Sequence, residues 1–193
     1  MIRIAREEDL PEILSIYAPY VEDTTVSFEY NVPTQEEFLQ RFQDITADFP
    51  WLVWEENGKI LGYAYACHPF QRTAYAWCAE PSIYLAPEAQ GKGIGRKLYA
   101  ALEELLKIQG YRMLLALITG ENTASLSFHE KLGYTFAGEL HSSGYKLGRW
   151  CSVFWLEKEL QIVENPMDFP IKWKVIGQDN QKIRDILSSL SLS

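Results

Sequence analysis

Between positions 90 and 96 the chain reads Gln90-Gly91-Lys92-Gly93-Ile94-Gly95-Arg96, a glycine-rich turn carrying two cations. It lies between a stretch that predicts a strand and one that predicts a helix. Glycines let the backbone aim several N–H groups at one point, and a helix start adds partial positive charge, so such a turn can cradle a pyrophosphate. Lys92 and Arg96 can neutralise further phosphate charge. The bland alternative is an ordinary strand-to-helix turn of the same composition. Two other phosphate motifs fail on residue identity: a P-loop needs Ser or Thr where Gly93 stands, and the dinucleotide fingerprint needs glycine where Arg96 stands.

Upstream, Glu80 falls inside a predicted strand, where a partly desolvated carboxylate could take a proton from an ammonium group. A carboxylate on a solvated strand face has the same sequence signature. Downstream, Asn122, Ser125 and His129 recur at i, i+3 and i+7, which puts three polar groups on one helical face. An imidazole there can move a proton near neutral pH, although a lone helical His is also a common surface or cap residue. Tyr134 is either a reserve proton donor or a core aromatic at a strand start. Arg72 could grip a carboxylate or phosphinate through a bidentate pair, or be a plain surface arginine.

The pattern Q-x-x-G-x-G formed by Gln90, Gly93 and Gly95 resembles the acyl-coenzyme A loop of the GNAT superfamily of N-acyltransferases. Asn122 and the segment HEKLGY at 129–134 resemble a second GNAT region, in the expected order after the loop. Five further blocks (25–28, 50–53, 74–80, 82–84 and 144–150) resemble the phosphinothricin and methionine sulfone or sulfoximine acetyltransferase branch, and the likeness spans roughly 2–160. The resemblance implies acetyl-CoA as co-substrate and direct N-acetylation of a small amino-acid-like amine. It implies that Ile83, Tyr84 and Leu85 lie beside the thioester, with the backbone N–H groups of Tyr84 and Leu85 on its carbonyl. The 90–96 loop, Asn122 and Ser125 would complete the cofactor site. Glu80 and His129 would be catalytic, with Tyr134 in reserve. Phe28, Glu29, Arg72 and Tyr75 would form the acceptor pocket, Glu29 meeting the amine. Pro81 and Ser152 depart from the branch pattern. Acetylation of a protein N-terminus or lysine, and a non-catalytic acyl-CoA sensor, are the competing functions, because a fold alone does not select the acceptor.

Positioning these residues takes a mixed α/β scaffold. Residues 2–5 read as a strand, followed by a helix with Leu10, Ile13, Leu14 and Tyr17 on its buried stripe. Thr34 and Glu37 form a capping box for a second helix that buries Phe38, Phe42 and Ile45. Residues 51–56 and 59–67 flank Asn57-Gly58, a pair suited to a tight hairpin. A long strand is expected over 74–86, with a bulge or a break in pairing at Pro81. Then come a helix at 94–109, a strand at 111–118, a short helix at 122–132, and strands near 134–139 and 150–159. Together these give a mostly antiparallel central sheet of about seven strands flanked by about four helices, the GNAT (α+β) arrangement. Residues 1–160 form the acetyltransferase domain. Residues 161–193 read as an extension, a strand at Ile171-Trp173-Val175 and then a helix, packing on the domain or on a dimer partner.

With 193 residues, 47% of them hydrophobic, the chain can bury one substantial core. A formal net charge of -8 argues against nucleic acid as a partner. Cys67, Cys78 and Cys151 are far apart, which leaves no disulfide framework and no metal site, and fits a reducing cytoplasm. No apolar run reaches the roughly 20 residues that span a bilayer, so no membrane association is expected. The expected partner is a small-molecule amine, with a homodimer implied by the resemblance.

Overall fold

The computed structural model describes residues 1–164, 168–176 and 180–192. Seven strands form one sheet in the order β1-β2-β3-β4-β5-β7-β6: β1 (Ile2–Ile4), β2 (Trp51–Glu56), β3 (Lys59–Cys67), β4 (Cys78–Leu85), β5 (Met113–Thr119), β6 (Thr135–Lys146) and β7 (Arg149–Glu159). Every pairing is antiparallel except β4 with β5. The core helices are α1 (Leu10–Glu22), α2 (Gln35–Asp48), α3 (Ile94–Gln109) and α4 (Thr123–Lys131).

Local chemistry accounts for the boundaries. Thr34 Oγ1 accepts from Glu37 N and the Glu37 carboxylate accepts from Thr34 N, the reciprocal box that starts α2. Asn57 and Gly58 both take positive φ, 52° and 75°, the backbone of a tight hairpin whose twist suits the flanking strands. Gly110, at φ 96°, ends α3. On α3, Leu98, Ala101, Leu102 and Leu105 are fully buried, as their spacing requires.

The sheet separates two helical layers. Tyr84 on β4 packs edge-on to Tyr17 and Tyr20 of α1. Gly95 on α3 lies against Ile83 and Leu85, whose side chains leave β4 from the opposite face because strand side chains alternate. The start of α3 and the body of α1 are therefore on opposite sides of β4. The α1 and α2 side is filled by rings, with Trp51 stacked on Tyr63 and Tyr65 and met edge-on by Phe38.

Three expectations are revised. The strand before the glycine loop begins at Cys78, because Thr73–Tyr75 form a 3-10 turn. Pro81 causes no bulge: its register with Ala66 on β3 is unbroken, and the break in pairing lies on the β5 side. The expected strand at Ile171-Trp173-Val175 is instead a short helix, α5 (Trp173–Ile176), followed by α6 (Gln181–Leu192). Trp173 is buried while Ile171 and Val175 are exposed, so one side chain, and not an alternating face, anchors the segment. The extension packs on the domain: α5 meets α2, and α6 meets α3 and β1. Among the described residues no helix is long and apolar enough to cross a membrane.

Candidate active site

The site begins where the two parallel strands part. β4 and β5 pair only at Cys78–Met113 and Ala79–Leu114. Beyond that point β4 keeps its ladder with β3 up to Leu85, and β5 keeps its ladder with β7 up to Thr119. The two halves of the sheet diverge from Glu80 onward and leave a cleft.

Ladder geometry decides which β4 amides face that cleft. Pro81 has no N–H, and Ala86 N donates to Leu61 O on β3. Successive residues point their backbone groups to alternate sides of a strand. The amides of Ser82 and Tyr84 thus point toward β3, and those of Ile83 and Leu85 toward the cleft. Two carbonyls agree, since Pro81 O and Leu85 O accept from Tyr99 and Tyr20 hydroxyls and not from β3. Of the amide pair implied by the resemblance, Leu85 points into the cleft and Tyr84 does not; its neighbour Ile83 does.

Residues 90–96 close one end of the cleft at the start of α3. Gly91 and Gly93 sit at φ 73° and 78°, a backbone region that side chains disfavour, so the loop needs glycine for conformation. Gln90 Nε2 donates to Tyr20 Oη at 3.3 Å, and Tyr20 in turn donates to Leu85 O at 2.6 Å. The loop, α1 and the end of β4 are thereby tied together. Ile94 and Gly95 are buried, whereas Lys92 and Arg96 are exposed. The amides of a helix start, two cations and a groove leading to Glu80 are a fitting donor set for the pyrophosphate and arm of a coenzyme A thioester.

Glu80 and His129 line the same cleft, together with Asn122 and Ser125. Burial raises the pKa of Glu80 above the usual carboxylate value. His129 is 3% exposed. Its Nδ1 lies 2.8 Å from Ser125 O, a carbonyl that can only accept, which assigns the ring proton to Nδ1. Nε2 then faces Tyr99 Oη at 2.9 Å and shares the single hydroxyl proton with Pro81 O at 3.3 Å. Burial lowers the pKa of His129, so the ring is neutral at neutral pH. Asn122 caps α4, its Oδ1 accepting from Ser125 N. Tyr134 is buried outside the cleft lining, edge-on to His129 at 5.0 Å between ring centres.

A chamber of about 490 Å³ continues from the cleft, lined by Tyr17 and the 26–29 segment, by Glu80, Ser82 and Tyr84 of β4, and by Leu117, Thr119 and Val153. Phe28 and Glu29 are in this wall. The Glu29 carboxylate is paired with Arg41 of α2 at 2.6 Å. Arg72 and Tyr75 are not among the lining residues: both lie on the exposed loop before β4, where Tyr75 packs on Phe70. Ser152, which departs from the branch pattern, accepts from Ser142 N and so holds the irregular stretch of β6.

The family description "Acetyltransferase (GNAT) domain" matches residues 2–155. The chain belongs to the GNAT acetyltransferase family. It is 41% identical over 161 residues to a phosphinothricin N-acetyltransferase of Alcaligenes faecalis, a match covering 82% of each chain. A phosphinothricin acetyltransferase of Sinorhizobium meliloti, solved in complex with acetyl-CoA, superposes with a TM-score of 0.80 at 36% identity, covering 82% of this chain and 87% of that one. A ribosomal-protein-alanine N-acetyltransferase of Brucella melitensis superposes equally well, TM-score 0.80 at 34% identity, covering 82% and 99%.

Two residues of this N-acetyltransferase escape a reading of its sequence. Tyr99 falls on the apolar stripe of α3 and looks like core, yet its hydroxyl joins His129 to Pro81 O inside the cleft. Lys146, 3% exposed, donates from Nζ to Ser27 O at 2.6 Å and pins the segment that carries Phe28 and Glu29. Gly144 on the same strand lets Phe28 lie against the backbone, because a Cβ there would stand 2.2 Å from the ring. Burial lowers the pKa of Lys146, with Glu29 opposing that shift. Lys146→Met keeps the apolar stem and removes the bond to Ser27 O. It is expected to raise KM for the acceptor about 10-fold while Kd for acetyl-CoA is unchanged, as a lost charge-assisted bond to a pocket wall would do. Steady-state kinetics together with calorimetric titration of the cofactor would read both.

Proposed function

We infer that this enzyme transfers the acetyl group of acetyl-CoA directly to the amino group of a small, amino-acid-like acceptor. The observation that carries this reading is the cleft between β4 and β5: its wall holds Glu80 and His129, Gly95 of the 90–96 loop lies against Ile83 and Leu85 of β4, and the cleft shares Glu80, Ser82, Tyr84 and Thr119 with a chamber of about 490 Å³. That volume suits a small molecule. The identity to a phosphinothricin acetyltransferase points the same way.

Residues 90–96 hold the coenzyme, which supplies an activated acetyl thioester. The inward amides of Ile83 and Leu85 are preorganised donors for oxygen-borne negative charge, a contribution worth about 10²–10³ in rate per donor in measured cases. Glu80 removes a proton from the acceptor ammonium, directly or through water. Tyr99, hydrogen-bonded to His129, stands on the α3 and α4 side of the cleft and can hand a proton to the departing thiolate while taking up the one shed by the acylated nitrogen, which leaves the hydroxyl as it began. Asn122 and Ser125 shape that side by holding α4 and the His129 ring.

Because Glu80 must be ionised to act, kcat should climb with pH through a value above the normal carboxylate range, and Glu80→Gln should lose that limb. Burial moves His129 in the opposite direction, lowering its pKa. A pH series of kcat at saturating acceptor checks this, and an acid limb in the ordinary carboxylate range would count against the assignment.

The second reading is acetylation of a protein N-terminus, favoured by the likeness to the ribosomal-protein-alanine enzyme. A panel of phosphinothricin, methionine sulfone, methionine sulfoximine, ordinary amino acids, polyamines and short peptides separates the two readings by kcat/KM. Preference for the amino-acid analogues supports the first, and turnover of peptides alone replaces it with the second. We also place the enzyme in the cytoplasm, consistent with its free cysteines. A homodimer is the expected assembly, and the exposed apolar residues Phe136, Leu140, Tyr145 and Trp150 on β6 and β7 offer a surface for it.

A further inference from the structure

The acceptor chamber has an imbalance in its hydrogen-bonding groups. Its ionisable lining side chains other than tyrosine are Glu29 and Glu80, which when ionised can only accept, and no lysine or arginine is among the lining residues. Of its buried hydroxyls, those of Tyr17 and Ser27 are bonded to each other at 2.7 Å.

Thr119 is the exception. It is 6% exposed, its Oγ1 is buried without a partner, and it lines both the catalytic cleft and the chamber. Its backbone is fixed: it is the last residue of β5, opposite Val153 on β7, and its carbonyl accepts from Asn122 N. Buried hydroxyls are nearly always paired, so a rigidly placed orphan in the wall of a substrate cavity calls for a partner that arrives with the substrate.

We propose that the Thr119 hydroxyl donates a hydrogen bond to the carboxylate of the amino-acid-like acceptor and thereby selects α-amino acids over plain amines. This rests on the acceptor class given above. Glu80 on β4 claims the amine, and in an α-amino acid the carboxylate sits on the very carbon that bears the amine, so it falls toward the facing strand. There Thr119 is the one residue among the described lining residues whose side-chain hydroxyl is buried with no partner inside the protein.

The test compares methionine sulfone with 3-methylsulfonylpropylamine, the same molecule without its carboxylate, as acceptors for the wild type, Thr119→Val and Thr119→Ser. For methionine sulfone, kcat/KM should fall about 10-fold in Thr119→Val, mainly through KM, and return to within about 3-fold of wild type in Thr119→Ser. The amine lacking the carboxylate should change by less than about 2-fold in all three, as should Kd for acetyl-CoA. If valine prevents folding, Thr119→Ala is measured in its place. An equal loss on both acceptors, or no loss on methionine sulfone, overturns the role of Thr119 while leaving the acceptor class intact. A wild-type enzyme that acetylates peptides and no amino acid overturns the acceptor class and this role with it.

Discussion

Replacing Glu80 with glutamine is expected to lower kcat at neutral pH at least about 100-fold, the usual scale for losing a positioned general base, and to leave Kd for acetyl-CoA within about 2-fold. Glutamine keeps the size and polarity of the side chain and removes only its capacity to hold a proton. In the site proposed above the coenzyme is held elsewhere, by the 90–96 loop and the amides of Ile83 and Leu85, so its affinity is expected not to depend on the charge at 80. The variant should also be no less stable than the wild type. Burial raises the folded-state pKa of Glu80, and a carboxylate whose folded pKa is raised penalises the native state once pH exceeds that value. Removing the charge removes this penalty at neutral pH. Inactivity with an equal or higher Tm therefore identifies a chemical role, whereas inactivity with a collapsed Tm would identify a structural one. Turnover close to wild type would remove Glu80 from the reaction.

Ending the chain at Leu160 is expected to abolish the soluble fold. Trp173, Ile183 and Leu187 of the extension are buried at 2%, 1% and 8% exposure. Fully burying a large apolar side chain contributes about 1.5–3 kcal/mol, so the three together contribute on the order of 5–9 kcal/mol. Domains of this size have a net stability of about 5–15 kcal/mol. Polar groups would be stranded as well. Ile2 N on the edge strand β1 donates to Ser191 Oγ, Gln109 Nε2 donates to Ile171 O, and Lys172 pairs with Asp48 at 2.8 Å. Without α6, β1 presents an open strand edge, a template for pairing with other chains. Circular dichroism and size-exclusion chromatography of the truncated chain check this. A monomer with wild-type Tm would show that the extension is an ornament. Trp173→Ala, a smaller step, should cost about 3–5 kcal/mol in denaturant unfolding.

What could be read in the sequence, and what could not, follows the range of the interactions involved. The 90–96 loop, proposed to hold phosphate, is a local object: glycine identity, two cations and a helix start all lie within those residues. The α2 capping box and the Asn57-Gly58 turn are equally local. Glu80 and His129 were reachable because each lies on a regular element whose order in the chain resembles a known family. Arg72 lies on the exposed turn before β4, outside the lining of the chamber, so sequence order alone does not place its side chain relative to Glu80. Arg41 shows the converse, since it comes from α2 and meets Glu29 only through the tertiary fold. Tyr99 was hidden because a phenol on an apolar helical stripe has the same spacing as core. Which amides face the cleft depends on strand register, and Pro81, which reads as a defect, turned out to fix that parity. In the tail, alternation over three apolar residues was too short a signal to separate a strand from a helix anchored by one tryptophan.

The most direct test is to incubate the wild-type enzyme with acetyl-CoA and methionine sulfone, and to quantify free thiol and N-acetylated acceptor in the same samples. The account predicts that both appear in equal amounts, at a rate that saturates with the acceptor and is lost in Glu80→Gln. Thiol release without acetylated acceptor, or acetylated acceptor at the same rate in Glu80→Gln, would contradict it.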